Sequence, residues 1–472
     1  MDYRFWRTRA ALGVLLSPAI FASTSALGAD LSAPSIPNDQ EVVTVLPNGS
    51  LQIGAINLKL GGFSELATFW RSRNETADVG SSFGGIPFGN DPRHYEHETR
   101  FSARQSRLAA LASGDLDEYT HLSAYIEADF LGVGTTSNSV ESNSYAPRIR
   151  HFYGAYDNDL WGLHVVAGQT WSLLTTNTEG IKVRNEQIPL TIDAQYVVGF
   201  NWTRNPQLRI VKTFNPMVSA GVSIESPQTV IAGQTPGGVE INANNPGGSL
   251  LNSGASYSND IMPDVVGKIA FDPGWGHYEL KGIVRGFTDR ADHDNRTTIA
   301  GAGGVSVTLP IIQKALELQG SFLAGNGIGR YGSGQMADVT FREDGSFAAI
   351  PEVQALVGLV AHPGKGTDLY AYGGLEEATK TIDGNAGYGL ETLNNTGCDI
   401  EGDPASLCQG VNKRLWEVTA GVWHDIYNGS YGRAAVGAQG EYVKREAFEG
   451  MGGAPSADEA IVMTSFRYYP FK

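Results

Sequence analysis

The chain has 472 residues, with 34 Lys and Arg against 50 Asp and Glu, a formal net charge of -16. That acidic balance argues against nucleic-acid binding, which needs a basic footprint. Only 18% of residues are charged, 41% are hydrophobic and 59 are glycine, a composition that disfavours helices and suits turns, loops and bends in sheets.

The N-terminus predicts export. Arg4, Arg7 and Arg9 form a basic region and residues 10–22 a short apolar run. Ser25, Ala26, Gly28 and Ala29 then offer a cleavage site after Gly28 or Ala29. This is the pattern of a signal peptide over residues 1–29. A membrane anchor is the rival reading, but the run is too short and Pro18 interrupts it. Residues 30–56 are polar, contain Pro34, Pro37 and Pro47, and lack heptads. They predict an extended periplasmic lead-in.

From Leu58 to Phe471 one unit recurs: about ten residues alternating apolar with polar, then a turn or a glycine-rich loop. No segment of the mature chain is apolar enough to be a spanning helix, and a bilayer admits only helices or closed barrels. The pattern therefore predicts an all-β, transmembrane, antiparallel up-and-down barrel over 57–472, embedded in outer-membrane lipid. The clearest strand is 120–132. Leu122, Ala124, Ile126, Ala128 and Phe130 share one face, and His121, Ser123, Tyr125, Glu127 and Asp129 the other. Met217 to Glu225, Lys413 to Ile426 and Gly432 to Tyr442 repeat the scheme.

Both ends of such a barrel lie in the periplasm, so its strand number is even, with short periplasmic turns and long outer loops. Residues 196–214 carry the interruption Asn205-Pro206. Taken as a hairpin turn, it would put every later long loop on the periplasmic side. Taken as a bulge or kink within one strand, it leaves them all outside. The second choice predicts strands near 57–70, 99–113, 119–132, 147–157, 161–171, 195–214, 217–226, 263–273, 276–290, 297–311, 313–325, 352–363, 367–379, 413–426, 430–446 and 459–472. About sixteen strands enclose an aqueous channel. Loops 71–98, 227–262, 326–351 and 380–412 are expected outside. Phe69, Trp70, Trp202, Trp416, Phe466 and Tyr468 are candidates for interfacial girdles.

Arginine concentrates on the predicted strands between Arg100 and Arg209. Arg100 and Arg104 share a face with Ser102 and Ser106, while Arg107 falls out of that register unless a bulge intervenes. Gln105 falls on the outward face and hints at a subunit contact. Arg148 and Arg150 lie opposite Ile149 and Tyr153. Arg204 flanks Pro206, and Arg209 alternates with Leu208 and Ile210. A cation facing lipid at mid-depth costs about 2–4 kcal/mol, so these residues are expected to face the lumen or a subunit contact. Guanidiniums bind carboxylates through paired hydrogen bonds, and rings of them select anions. The alternative is that they pair with Glu127, Asp129 or loop acids and hold the barrel together. The two roles are compatible.

Residues 170–193 are too long for a turn and apolar for an exposed loop: Trp171, Leu173, Leu174, Ile181, Val183, Ile188 and Leu190. They predict a loop folded inward to narrow the channel, with Lys182 and Arg184 adding positive charge opposed by Glu179 and Glu186. Packing on a neighbouring subunit is the alternative. Cys398 and Cys408 are the two cysteines, and in an exported loop their simplest reading is a disulfide. A metal pair is the rival, but no His lies nearby.

ELATFW, RFSARQSRLAAL, PRIRHFYGAY, VVAGQTWSLL, WTRNPQLRI and the terminal YYPF together resemble the DcaP-like outer-membrane porins. The match spans most of 57–214 and the C-terminus and fades in the loops between. The resemblance implies a homotrimeric porin admitting small anionic solutes, dicarboxylates included, with no cofactor. By position Arg104, Arg107, Arg148, Arg150, Arg204 and Arg209 match its basic motif residues. Two departures stand out. Residues 30–56 lack the coiled coil of some members, and the chain ends Phe471-Lys472 instead of on the aromatic read by the barrel-insertion machinery. Two other function classes fit parts of the sequence. A barrel lipase or esterase needs a Ser-His pair on the outer wall. His151 and His424 fall on expected outward positions, but no serine partner and no Gly-x-Ser-x-Gly stands out. An exported carbohydrate-binding β-protein would lack girdles.

Overall fold

The structure, a computed structural model, describes residues 43–46, 49–132, 146–241 and 260–471, with strand placement alone for 245–247 and 255–257. The expected signal peptide over 1–29 lies outside the described residues, as does most of the lead-in.

Sixteen antiparallel strands close into a barrel. In chain order they are Ile56–Arg71 (β1), Glu98–Ser102 continued by Arg107–Asp115 (β2), Thr120–Gly132 (β3), Ala146–Asn158 (β4), Leu163–Trp171 (β5), Arg204–Asn215 (β6), Val218–Glu225 (β7) and Asp264–Phe271 (β8). His277–Ala291 (β9), Asp294–Ile312 (β10), Leu316–Asn326 (β11), Pro351–Gly364 (β12), Thr367–Ala378 (β13), Asn412–Gly429 (β14), Gly432–Ala447 (β15) and Ser456–Tyr469 (β16) complete it. The seam pairs β16 with β1, from Ile461 opposite Arg71 to Tyr468 opposite Ser64. Each of these sixteen strands pairs on both sides, so the barrel wall itself has no open edge among the described residues.

Polarity is inverted relative to a soluble domain. Leu122, Ile126, Val222, Ile224, Val418 and Val462 are exposed on the outer face. Arg71, Arg209 and Arg285 are among the largest fully buried side chains, all inside. Strand alternation does this without help: successive side chains take opposite faces. The turns at one end of the barrel are short. The other end carries the long segments, apart from the Asp292-His293 turn, where both residues have left-handed φ.

Several sequence expectations need correction. Residues 43–53 are not a plain lead-in: Val43–Val45 and Leu51–Ile53 form a small hairpin that continues onto the start of β1. β2 breaks at residues 103–106, and the break resets its register. Arg107 then faces inward opposite Phe63. Gln105 is buried beside Glu65 and Ile192, not outward, so it marks no subunit contact. Residues 195–203 are not strand: β6 starts at Arg204. Pro206 does lie within that strand. Its carbonyl accepts from Ser226 N, so its missing N–H falls on the side where pairing with β7 has ended. Phe69 and Trp202 are interior side chains rather than girdle residues, whereas Trp70 and Phe466 are exposed on the outer face. The long segments at 72–97 and 327–350 do not stand clear of the barrel. Val79, Phe83, Ile86, Phe88 and Met336 are buried in one apolar cluster with Ile192, Val197 and Val198.

The inward segment approaches the wall very closely at two glycines. A Cβ on Gly374 of β13 would sit 1.6 Å from the Val198 carbonyl oxygen, and one on Gly199 (φ +85) 2.0 Å from the Ala355 carbonyl oxygen. Gly374→Ala should therefore loosen residues 172–203, at a cost of about 1–3 kcal/mol, and leave the barrel closed. Faster protease cleavage within that segment, with unchanged heat-modifiable migration on gels, is the expected result.

Candidate functional site in the lumen

β5 stops at Trp171, opposite Arg204, and the chain turns into the lumen until Thr203. Two features of the sequence drive this. Leu173, Leu174, Ile181, Ile192, Val197 and Val198 are apolar and become buried. The barrel wall supplies acceptors for backbone N–H groups that leave water. Leu173 N donates to Glu225 (2.9 Å), Asn177 N to Glu279 (2.8 Å), Ile192 N to Gln439 (2.5 Å), Val198 N to Glu417 (2.9 Å) and Gly199 N to Glu376 (2.7 Å). Buried main-chain donors without such partners would be costly. Trp423 Nε1 in turn donates to the Leu190 carbonyl (2.8 Å).

The opposite side of this segment meets β2 to β6. In β4 the pairing with β3 slips by one residue, with Glu127 opposite His151 and Ala128 opposite Ile149. The bulge turns both Arg150 and His151 inward and carries Tyr153 inside as well. The expected outward His151 and Tyr153 are therefore corrected. His151 Nδ1 lies 3.0 Å from Thr170 Oγ1, and the outer wall loses one of the two histidines an esterase reading needed.

Arg150 bonds Glu127 (2.5 Å), Asp129 (3.1 Å) and the Tyr196 hydroxyl (3.4 Å). Arg148 grips Asp129 through two nitrogens, at 2.9 and 2.7 Å. Arg107 lies 3.8 Å from Glu127. The Arg204 guanidinium stacks on Trp171 (4.9 Å) and Trp202 (5.2 Å). Among the described residues, Arg107 Nε and one terminal nitrogen of Arg204 are buried without a hydrogen-bond partner. A cavity of about 250 Å3 opens between Arg107, Glu127, Arg150, His151, Arg184 and Glu186.

The remaining sequence candidates lie elsewhere. Arg100 pairs with Glu98 (2.9 Å). Arg104 ties the break in β2 to the carbonyls of Phe130 and Gly132 and to Asp78. Arg209 bonds Gln207 and the Trp171 carbonyl. Lys182 does not add charge at the cluster: it points to Asp159 in a turn, 3.6 Å away. Cys398 and Cys408 are joined, with Cα atoms 4.6 Å apart.

Sequence reasoning missed the contribution of Tyr196. It lies in residues read as strand, yet it is buried with φ +71, a conformation unusual for an aromatic residue. Its ring packs on Trp171, Phe200 and Trp202. Burial pushes its phenol up, but Arg150, Arg204 and Arg107 outweigh this and hold it down at about 8. The wall acceptors Glu376 and Glu417 were legible only as inward positions of their strands.

No family profile and no curated protein sequence matches the chain. Among solved structures it is similar to the outer membrane channel DcaP of Acinetobacter baumannii. The TM-score is 0.61 at 17% identity, over 88% of this chain and 98% of that one. The chain shares its fold with that channel. Two further matches are more distant. An anion-selective porin from Comamonas acidovorans has a TM-score of 0.49 at 10% identity, over 88% of this chain and 99% of that one. Pseudomonas putida OprB has 0.49 at 11%, over 87% and 94%.

The arginine cluster also holds the wall together. Arg150 is almost fully buried between two carboxylates, and its removal leaves both short of a partner. Arg150→Ala should cost about 3–5 kcal/mol, whereas Arg148→Ala, at a site 35% exposed, should cost about 1 kcal/mol or less. Unfolding by guanidinium in detergent, followed by tryptophan fluorescence, measures the difference.

Proposed function

We propose that the chain is a DcaP-like porin of a bacterial outer membrane. Small solutes, anions and dicarboxylates preferentially, diffuse through it passively. Neither a cofactor nor a covalent step takes part. One observation carries the reading: Arg107, Arg148, Arg150, Arg184 and Arg204 converge from three strands and the inward segment on a wall holding fewer carboxylates, and two of them keep buried N–H groups without acceptors. Donors fixed in a low-dielectric constriction favour anions and cost little to arrange when a solute arrives. The shared fold with the DcaP channel and the apolar outer face of the barrel support the membrane location.

Homotrimeric assembly belongs to the same proposal. A groove of about 550 Å3 on the outer face crosses β2 to β5, floored by Ala112, Gly114, Ala124, Gly154 and Ala167. Small side chains let a second wall approach closely. Light scattering in detergent should report three copies per particle, and Ala124→Trp should shift the population toward single barrels.

In planar bilayers under a salt gradient, the reversal potential should have the sign of anion preference, and succinate should reduce the chloride current. Replacing Arg150 and Arg204 together with glutamine should lower the anion-to-cation permeability ratio several-fold. Strong cation preference that this double change leaves unaltered would contradict the selectivity claim.

A further inference from the structure

Tyr196 stands at the centre of the arginine cluster, and nothing in a passive constriction requires a phenol there. Its backbone sits in the left-handed region, φ +71. A bulky residue held in that strained region by its surroundings points to a functional position. Here the surroundings are the wall bonds to Ile192, Val198 and Gly199 and the ring contacts with Phe200 (5.3 Å) and Trp202 (5.2 Å). They aim the hydroxyl at Arg150, whose terminal nitrogen donates to it over 3.4 Å.

That distance is long. Charge-assisted bonds between guanidinium and carboxylate run near 2.7–2.9 Å, as the Arg148 to Asp129 pair does. The phenol oxygen therefore occupies an acceptor position without filling it strongly.

We propose that Tyr196 is a built-in competitor for the arginine cluster: its oxygen takes the place of a solute carboxylate and so sets how long the constriction retains small anions. This rests on the porin reading above. A solute carboxylate displaces the neutral phenol because its hydrogen bonds to guanidinium are stronger. On leaving, it is replaced by an acceptor already in position, which lowers the cost of release.

The charged groups around the phenol are Arg107 from β2, Arg150 from β4 and Arg204 from β6. Glu127 and Asp129 of β3 neutralise Arg150 in part, and His151 of β4 lies beside it. The three guanidiniums bring the phenol to about 8, so it ionises between pH 7 and 9. Ionised, it competes much better.

The test uses the full-length protein in planar bilayers with succinate as the probe, whose carboxyls are already ionised across this range. At pH 7, Tyr196→Phe should lower the succinate concentration for half-block by about two- to ten-fold, the effect of removing one competing hydrogen bond. In the native protein, block should weaken from pH 7 to 9, and in Tyr196→Phe this change should vanish. Difference absorbance between the two proteins should show one tyrosinate appearing near pH 8, a readout independent of current and of solute. Block that Tyr196→Phe leaves unchanged or weakens would overturn the competitor role alone. Native current indifferent to succinate, and unaltered by Arg150→Gln, would overturn the anion preference proposed for the arginine cluster and this proposal together.

Discussion

The arrangement depends on the pairing between backbone N–H groups of residues 172–203 and acceptors on the barrel wall. A segment that leaves the sheet inside a barrel gives up its strand partners and much of its water. Glu225, Glu279, Glu376, Glu417 and Gln439 restore the lost bonds from five different strands. Because these acceptors are spread around the wall, the segment is held along its length rather than at its ends. The aromatic residues it carries, Tyr196 and Trp202 among them, are thereby fixed against the arginines of β4 and β6.

The register irregularities serve the same end. Strict alternation places one side chain in two inside, so a single strand offers its lumen residues at two-residue intervals. The bulge in β4 breaks that rule and turns Arg150 and His151 inward side by side. The break in β2 does the same for Arg107, which a continuous strand from Arg100 would have turned outward. The break puts a guanidinium where a regular ladder would have placed an apolar side chain, the bulge sets His151 beside Arg150, and both irregularities occur within reach of Glu127.

This explains which parts of the structure were legible. The strand set follows from period-two alternation and parity, both local properties, and β3, β7, β14 and β15 lie where that pattern puts them. Loop parity puts Pro206 within a strand, where it lies. What local pattern cannot supply is the location of a bulge, because it shifts every later residue by one face. Alternation alone therefore assigns His151, Tyr153 and Gln105 to the outer face, whereas all three are buried inside. Residues 196–202 differ for another reason: Val197, Val198 and Phe200 have strand-like composition, and only the acceptors waiting across the barrel make them a lumen segment.

The far wall raises a question of charge. Glu376, Glu417 and Glu441 are buried inside a chain whose formal net charge is -16, yet the proposed site is positive. Position resolves the conflict. Glu376 and Glu417 accept main-chain N–H groups from Gly199 and Val198, and Glu441 is bonded by Gln439. The bonded oxygens of Glu376 and Glu417 are directed at the inward segment, and that of Glu441 at a neighbouring side chain of the wall. The arginine wall meets the cavity directly, with Glu127 and Asp129 already shared among Arg107, Arg148 and Arg150. Local sign at a constriction is set by which groups still have unused hydrogen-bonding capacity, and among the described residues of this site Arg107 and Arg204 each keep an unbonded N–H donor against a single unbonded carboxylate oxygen, on Glu186.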